Sequence, residues 1–266
     1  MNRKDFISLS LLSGTALSFG FRPDDKKTHL LSLSFDDGFK KSFYKIAEIH
    51  EAFSLQACLN IIAGSNIPDL EASPNGMPEL TSNIYGNFKD WNILKERGHE
   101  IMPHTWQHVN LTEIPINEAK ERIDKCLDYF EEHLNGFNCA ESVFNFAYNA
   151  SNEALETHAL KRVRAIRTGG WNVLNNQKNN PHPSNTDNFK LGCWGYGPGN
   201  GDQYLHDEIN EFLAGSGGWL IINLHGLDDE GWGPVSSEFL RKKLAELVKV
   251  SKLEILPVGQ ALKKYS

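Results

Sequence analysis

The chain has 266 residues, of which 40% are hydrophobic and 23% are charged, and its formal net charge is −7 at pH 7. A chain of this size can bury a sizeable core, as one large domain or two small ones. The net negative charge and the lack of a long basic run argue against nucleic acid or an anionic membrane surface as a partner.

The first 20 residues have the pattern of an export signal. Arg3 and Lys4 precede a largely apolar stretch at residues 6–19, and small residues near its end suit a cleavage site. Residues 2–7 also resemble a twin-arginine signal with Lys in place of the second Arg. A stable membrane span is not expected, because the apolar stretch is shorter than the roughly 20 residues that a bilayer needs. A short N-terminal helix is the alternative; we expect export to the periplasm or the extracellular space.

Seven short apolar or alternating runs after this segment predict β-strands. They lie at residues 30–35, 57–62, 99–102, 143–147, 163–167, 219–224 and 253–258. Helical patterns lie at residues 41–53, 88–97, 116–134, 151–161, 203–213 and 236–249, the last with Ser236 as its expected N-cap. This alternation predicts parallel strands joined by crossover helices, as a (β/α) barrel or an open α/β sheet. The simplest division is a linker at residues 21–27 and one catalytic domain at residues 28–266.

Two long connections, at residues 63–85 and 172–201, are rich in Pro, Gly, Asn and Ser. In a barrel, such loops at the carboxyl ends of strands usually shape the substrate site. The cysteines show no C-x-x-C spacing, so a thiolate zinc site is not expected. Buried free thiols are the expectation, with a disulfide left open if the protein is exported. The cysteines are Cys58, Cys126, Cys139 and Cys193.

An Asp-Asp-Gly sequence follows the first predicted strand. Asp36 and Asp37 stand at its carboxyl end, where neighbouring side chains point in different directions. One carboxylate can therefore face a metal ion while the other faces the reacting water. Gly38 permits the sharp turn that follows. The three residues could also form no more than a turn, since Asp-Gly pairs are common in turns.

Two histidines follow the predicted strand at residues 99–102. His104 and His108 are four residues apart, and on a helical turn their Cβ atoms would be about 5–6 Å apart on one face. They would lie at the same edge of the sheet as Asp36 and Asp37. Two imidazoles and one carboxylate leave open positions on a divalent ion such as zinc, as hydrolytic metal sites require.

A further histidine, His225, follows the predicted strand at residues 219–224 and would face the same site. When protonated, it could donate to a leaving amine or alkoxide, since the ordinary pKa of histidine lies near neutral pH. The alternative is a hydrogen-bonded histidine of the core.

These motifs resemble those of the NodB-type polysaccharide deacetylases, carbohydrate esterase family 4. Residues 34–38 (Ser-Phe-Asp-Asp-Gly) are similar to the first motif, residues 104–108 (His-Thr-Trp-Gln-His) to the second, and residues 224–225 (Leu-His) to the fifth. The resemblance covers about residues 28–262. It implies a distorted (β/α) barrel of about seven parallel strands and a divalent metal, usually zinc, with cobalt or nickel in some members.

The resemblance also implies a role for each motif residue. The implied metal ligands are Asp37, His104 and His108. Asp36 resembles the general base of the family, and His225 resembles the general acid. Thr105 fills the hydroxyl position of the second motif, where the side chain helps to fix the loop.

The third motif departs from the usual Arg-x-Pro-Tyr, because residues 144–149 read Phe-Asn-Phe-Ala-Tyr-Asn. This is similar to a Phe-Ala-Tyr-Pro version with Asn149 in the Pro position. Arg167, at the end of the next strand, could place a replacement guanidinium beside Asp36; a surface salt bridge or a substrate clamp are the alternatives. The backbone amide of Tyr148 could lie near the developing oxyanion.

Several aromatic residues fall in or near the predicted site loops, and their flat faces suit stacking on sugar rings. Packing of the barrel rim is the alternative role. They are Trp106, Trp171, Trp194, Tyr196 and Trp232.

The leading hypothesis is N-deacetylation of a polysaccharide or oligosaccharide by metal-activated water, with Asp36 as base and His225 as acid. The altered third motif also fits an O-acetyl esterase or an amidohydrolase of non-sugar amides on the same site. A third hypothesis is a carbohydrate-binding protein with a degenerate site. The complete set of ligands, base and acid argues against it, because binding alone needs neither acid nor base. The oligomeric state is left open.

Overall fold

The computed structural model describes residues 27–67, 70, 80, 83–175, 177–185 and 189–265. The predicted export signal at residues 1–20 therefore lies outside the described residues. In the part of the chain that is described, no helix combines the length and apolar character that crossing a membrane requires.

Strands and helices alternate along the described residues. The strands are β1 (His29–Phe35), β2 (Cys58–Ile61), β3 (Glu100–Pro103), β4 (Val143–Asn145), β5 (Ala165–Gly169), β6 (Lys190–Gly195), β7 (Gly218–Leu224) and β8 (Leu253–Ile255). The α-helices are α1 (Lys40–Glu51), α2 (Phe88–Glu96), α3 (Ile116–His133), α4 (Glu153–Ala159), α5 (Gly170–Val173), α6 (Asp202–Ala214), α7 (Ser237–Leu247) and α8 (Val258–Tyr265). Short 3₁₀ turns lie at Cys139–Glu141, Ala147–Asn149 and Pro183–Asn185.

The strands form one parallel sheet in the order β3-β2-β1-β7-β6-β5-β4. The short β8 pairs with the first residues of β1, on the side where β2 pairs with its last residues. The outer strands β3 and β4 approach each other, since the Asn145 side-chain amide donates to the Pro103 carbonyl oxygen at 3.1 Å. The sheet is thus nearly closed, which confirms the distorted (β/α) barrel.

The alternation of side chains along β1 separates two cores. Leu31, Leu33 and Phe35 belong to the large core between the sheet and the helices. Leu30 belongs to a smaller core inside the barrel, which α8 closes at the amino ends of the strands. Because side chains alternate with a period of two, Ser32, Ser34 and then Asp36 continue the inward face. The carboxyl ends of the strands are therefore the polar end of the barrel interior.

Three elements were not predicted: α5, β6 and α8. Helix α5 is a single turn of four residues, too short for a helical periodicity to show in the sequence. Strand β6 lies inside the predicted loop at residues 172–201. It was not predicted because Gly192 and Gly195 weaken the strand pattern of the sequence. A Cβ on Gly192 would lie 2.5 Å from the Leu174 side chain, so close packing requires glycine there. The run at residues 253–258 is strand only to Ile255, and α8 follows it. The predicted cap is confirmed: Ser236 Oγ accepts from the Phe239 amide at 3.3 Å.

Candidate metal centre and active site

The polar end of the barrel brings together the residues of the three recognised motifs. Asp36 and Asp37 follow β1, His104 follows β3, and His225 follows β7. Asp36, Asp37 and His104 are almost completely buried. They meet because the carboxyl ends of parallel strands lie at one edge of a sheet.

The two histidines do not lie on a helical turn, contrary to the sequence prediction. Residues 104–108 form an irregular turn in which Thr105 and His108 both have left-handed backbone conformations, with φ of 63° and 53°. Thr105 Oγ1 accepts a hydrogen bond from the His108 amide at 3.1 Å, which fixes the turn. The imidazole rings of His104 and His108 still come within 5.1 Å of each other, measured between centroids.

Three donor atoms converge at the position expected for a metal. Asp37 Oδ1 lies 3.4 Å from His104 Nε2 and 3.2 Å from His108 Nε2. The three residues each offer one ligand atom within 4.8 Å of the other two. Asp37 Oδ1 is buried and has no hydrogen-bond partner among the described residues. A carboxylate oxygen and two imidazole nitrogens in this arrangement fit a divalent cation with open coordination positions.

The orientation of His104 also suits metal binding. Its Nδ1 donates to the Asn145 carbonyl oxygen at 3.1 Å, since a carbonyl oxygen can only accept. In the neutral ring, Nε2 then carries a lone pair that faces Asp37. Fixing the second nitrogen of a metal-binding histidine in this way is typical of metal sites.

Asp36 is held by three side-chain donors. Asn60 Nδ2 donates to Oδ1 at 2.7 Å, while Arg167 Nη2 and Asn223 Nδ2 donate to Oδ2 at 2.7 and 2.6 Å. Burial alone would raise the pKa of Asp36, but the Arg167 guanidinium and the His104 imidazole outweigh it and lower the pKa. Asp36 is therefore a carboxylate at neutral pH.

Arg167 lies beside Asp36, in the position considered from the sequence for a replacement of the third-motif Arg. Its side chain is fully buried. Its Nε donates to Asn145 Oδ1 at 2.7 Å, and Asn145 Nδ2 in turn donates to Asn60 Oδ1 at 3.0 Å. The third motif thus contributes an amide that positions the guanidinium from β5, rather than a guanidinium of its own.

The sequence reading missed Asn60, Asn145 and Asn223, which connect Asp36, Arg167 and His104. Each is almost fully buried near the carboxyl end of a strand. A polar residue in an otherwise apolar strand was the available signal, because buried polar groups require partners.

His225 is half-buried at the edge of the site. Its Nδ1 is buried and has no hydrogen-bond partner in the described part of the chain. Burial lowers the pKa of His225, and the carboxylates of Asp37 and Asp36 oppose that effect. Its ring meets the Trp232 ring edge to face, 5.6 Å between centroids.

The other predicted supporting residues differ in exposure. Tyr148 is exposed, has a left-handed φ of 57°, and its ring lies 4.6 Å from the His108 ring. Trp232 is also exposed. Trp106 is buried and its ring packs against the Tyr129 ring. It therefore supports the turn at residues 104–108 and has no face free for a sugar.

The cysteines are all free and buried, as expected from the sequence. Cys193 Sγ lies 3.4 Å from Arg167 Nη1, and burial is the main cause of its pKa being raised to about 11. The thiol is therefore neutral and packs beside the guanidinium.

Comparison with known proteins agrees with the motifs and the fold. The sequence model of the polysaccharide deacetylases matches residues 23–166. Among curated proteins, no sequence matches the chain significantly.

Several solved structures share the fold. A Mycobacterium smegmatis protein assigned to the polysaccharide deacetylases is 12% identical, with a TM-score of 0.62 over 92% of both chains. Peptidoglycan deacetylase PdaC from Bacillus subtilis is 14% identical, with a TM-score of 0.53 over 91% of this chain and 94% of its own. A family-4 pseudoenzyme from Bacillus anthracis is 13% identical, with a TM-score of 0.51 over 90% of this chain and 66% of its own.

At these identities the structural likenesses show the fold alone, whereas the sequence match spans more than half of the chain. The family is generally metal-dependent, in agreement with the three converging ligand atoms of Asp37, His104 and His108. The chain belongs to the polysaccharide deacetylase family, whose enzymes hydrolyse carbon–nitrogen bonds other than peptide bonds.

Proposed function

We propose that the protein is a metal-dependent deacetylase that removes N-acetyl groups from a polysaccharide or oligosaccharide. The observation that carries this proposal is the convergence of Asp37, His104 and His108 beside the ionised Asp36. A binding site would have no need of a buried carboxylate with a guanidinium next to three metal-ligating atoms.

We assign Asp37, His104 and His108 as the ligands of the ion, with zinc as the metal. Oxygen and imidazole ligands suit zinc, and cobalt and nickel accept the same set. When bound, such an ion polarises the acetyl carbonyl and makes water a stronger acid. The unused lone pair of His104 and the unpartnered Asp37 Oδ1 support the assignment.

Asp36 acts as the general base. Its Oδ2 accepts two hydrogen bonds, from Arg167 and Asn223, whereas Oδ1 accepts only one, from Asn60. A carboxylate offers about four acceptor positions, so these hydrogen bonds leave one for the proton of the attacking water, and Oδ2 lies 3.7 Å from Nε2 of the metal ligand His104. Arg167 positions this carboxylate and keeps it ionised.

His225 acts as the general acid and donates a proton to the departing amine. A lowered pKa favours release of that proton, and the nearby Asp36 and Asp37 carboxylates stabilise the protonated ring before transfer. We assign the backbone amide of Tyr148 as a hydrogen-bond donor to the oxyanion that develops on the acetyl carbonyl, where it would act together with the metal. The exposed Tyr148 and Trp232 rings flank the site and suit a carbohydrate substrate.

The test is acetate release from N-acetyl chito-oligosaccharides and from O-acetylated xylan, with zinc, cobalt or nickel added. We expect release from the N-acetyl substrates and a loss of about 10²- to 10⁴-fold in Asp36→Asn, the contribution of a general base. His104→Ala tests the metal site. Asp229→Asn is the control, because Asp229 is exposed and pairs with the exposed Lys41.

Three results would contradict the proposal. Acetate release that is undiminished in Asp36→Asn or His104→Ala would contradict the role assigned to that residue. Release from the O-acetyl substrate alone would make the protein an esterase. Sugar affinity without any release in zinc-loaded protein would make it a binding protein.

A further inference from the structure

A cleft with aromatic walls lies outside the barrel, between α5 and α6. Its volume is about 510 Å³, inside the roughly 300–1,000 Å³ range of small-molecule sites. No role for it follows from the metal centre. It is lined mainly by the rings of Trp171, Trp194 and Tyr204 and by the polar side chains of Gln177, Lys178 and Glu208.

Two consecutive glycines seat the indoles of this cleft. A Cβ on Gly169 would lie 2.4 Å from the Trp171 ring, and a Cβ on Gly170 would lie 2.5 Å from the Trp194 ring. The indole N–H of Trp194 donates to the Lys178 carbonyl oxygen at 2.7 Å, which fixes its orientation. Trp171 meets Trp194 edge to face, 6.2 Å between centroids, and remains 62% exposed. The cleft therefore presents a preformed aromatic platform with one face free.

The charges of the cleft favour a neutral ligand. Within the lining, the positive charge of Lys178 is balanced by Glu208, 3.1 Å from its Nζ, while the exposed Glu211, 2.6 Å from the same Nζ, lies outside the lining. An anionic ligand would find no uncompensated cation among the lining residues described. Hydrogen-bonding groups beside flat aromatic faces suit a ring with hydroxyl groups on its rim and C–H groups on its face, which is a pyranose sugar.

The platform is joined directly to the proposed active site. Arg167, which contacts Asp36, is four residues from Trp171, and that stretch spans at most about 14 Å. A second connection runs over the surface: the Tyr204 ring stacks on the exposed Tyr196 ring, 5.2 Å between centroids. Aromatic surface therefore extends along the β5–β6 side of the site.

We propose that this cleft is a distal subsite for a neutral pyranose unit of the same glycan whose acetylated unit lies at the metal centre. The inference rests on the proposed function for the identity of that glycan. It specifies the substrate as an oligosaccharide or polymer, with several sugar units bound along the β5–β6 side.

Binding of N-acetylchitopentaose and xylopentaose to the zinc-loaded protein, measured by isothermal titration calorimetry, tests the subsite without requiring turnover. We expect Trp171→Ala to weaken binding of at least one of the two pentaoses about tenfold, the loss typical of a well-packed aromatic anchor. Trp171→Phe should restore most of it. Phe189→Ala is the control, because Phe189 is an exposed aromatic residue just before β6, at the opposite end of that strand.

The inference is overturned if the wild-type protein binds neither pentaose, or if Trp171→Ala binds both as tightly as wild type. A kinetic arm compares kcat/KM for the pentaose with that for p-nitrophenyl acetate, and the ratio should fall about tenfold in Trp171→Ala. An unchanged ratio with equal losses on both substrates would mean that the indole only supports the strand of Arg167. If no variant or wild-type protein releases acetate, the proposed function fails, while the affinities still decide the subsite.

Discussion

Replacing Arg167 by Met removes the cation of a fully buried ion pair. Arg167 Nη2 lies 2.7 Å from Asp36 Oδ2, and the two side chains are 0% and 2% exposed. Removing one partner of such a pair leaves an uncompensated buried charge and costs about 3–5 kcal/mol. The variant also leaves Asn145 Oδ1 without the Arg167 Nε donor. We therefore expect a loss of that size in the free energy of unfolding at pH 7, measured in urea.

The pH dependence of that loss identifies Asp36 as its source. In the wild type, Asp36 has a lowered pKa, so its ionised form stabilises the fold above the unfolded-state pKa, about 3.9. This stability is lost as the pH falls through the lower native pKa. Arg167 is the largest of the influences that lower the pKa of Asp36, so we expect that pKa to rise in the variant, where protonation relieves the buried charge. The difference in free energy of unfolding between the variant and the wild type should therefore decrease as the solution is acidified.

The same change should alter catalysis, moving the acidic limb of the kcat/KM profile to higher pH because the base must be ionised. Arg97→Met is the matched control: Arg97 pairs with Glu51 at 2.8 Å near the surface and should cost at most about 1 kcal/mol. An Arg167→Met protein as stable as wild type at pH 7, or a stability gap that does not change with pH, would refute the reasoning.

Three further predictions concern the metal site, the loop that follows His225 (residues 226–235), and the packing of Gly86 against Trp91. In His104→Ala, zinc affinity measured by competition with a chelating dye should fall by more than about 100-fold. Losing a ligand costs more than the 10- to 100-fold typical of losing a supporting residue. Retained affinity would contradict the ligand assignment. Ser42→Ala should cost about 1–3 kcal/mol in urea unfolding, since Ser42 Oγ donates to Glu230 at 2.5 Å and accepts from the Leu227 amide at 2.9 Å; an unchanged midpoint would show that these bonds do not stabilise the loop. Gly86→Ala should cost about 1–3 kcal/mol, because its Cβ would lie 2.4 Å from the Trp91 ring. Gly199→Ala, with no heavy atom within 4 Å of the new Cβ, should change stability by less than about 0.5 kcal/mol; equal effects would contradict the packing argument.

Much of the site could be predicted because strand ends are readable in the sequence. Asp36, Asp37 and His225 follow apolar runs that form parallel strands, and such strands place their carboxyl ends together. Arg167 could be placed beside Asp36 for the same reason. The spacing of His104 and His108 indicated a shared target, although the turn that achieves it is irregular rather than helical.

What could not be predicted depends on contacts between distant strands. Asn60 and Asn145 are 85 residues apart, and nothing local to either shows that they bond to each other. Strand β6 could not be predicted because its glycines serve close packing, Gly192 against Leu174 and Gly195 against Asn223, and lower its strand propensity. Trp106 illustrates a related limit: its place near the site loops left sugar stacking and rim packing both open, and only tertiary structure shows that it is buried.

The most direct test of the central claim is a zinc titration of chelator-treated protein in which bound metal and acetate release from an N-acetyl chito-oligosaccharide are measured on the same samples. The account predicts that release rises in proportion to occupancy and stops rising at one zinc per chain. Release that is already complete without bound metal, or a fully occupied protein that releases no acetate, would contradict it.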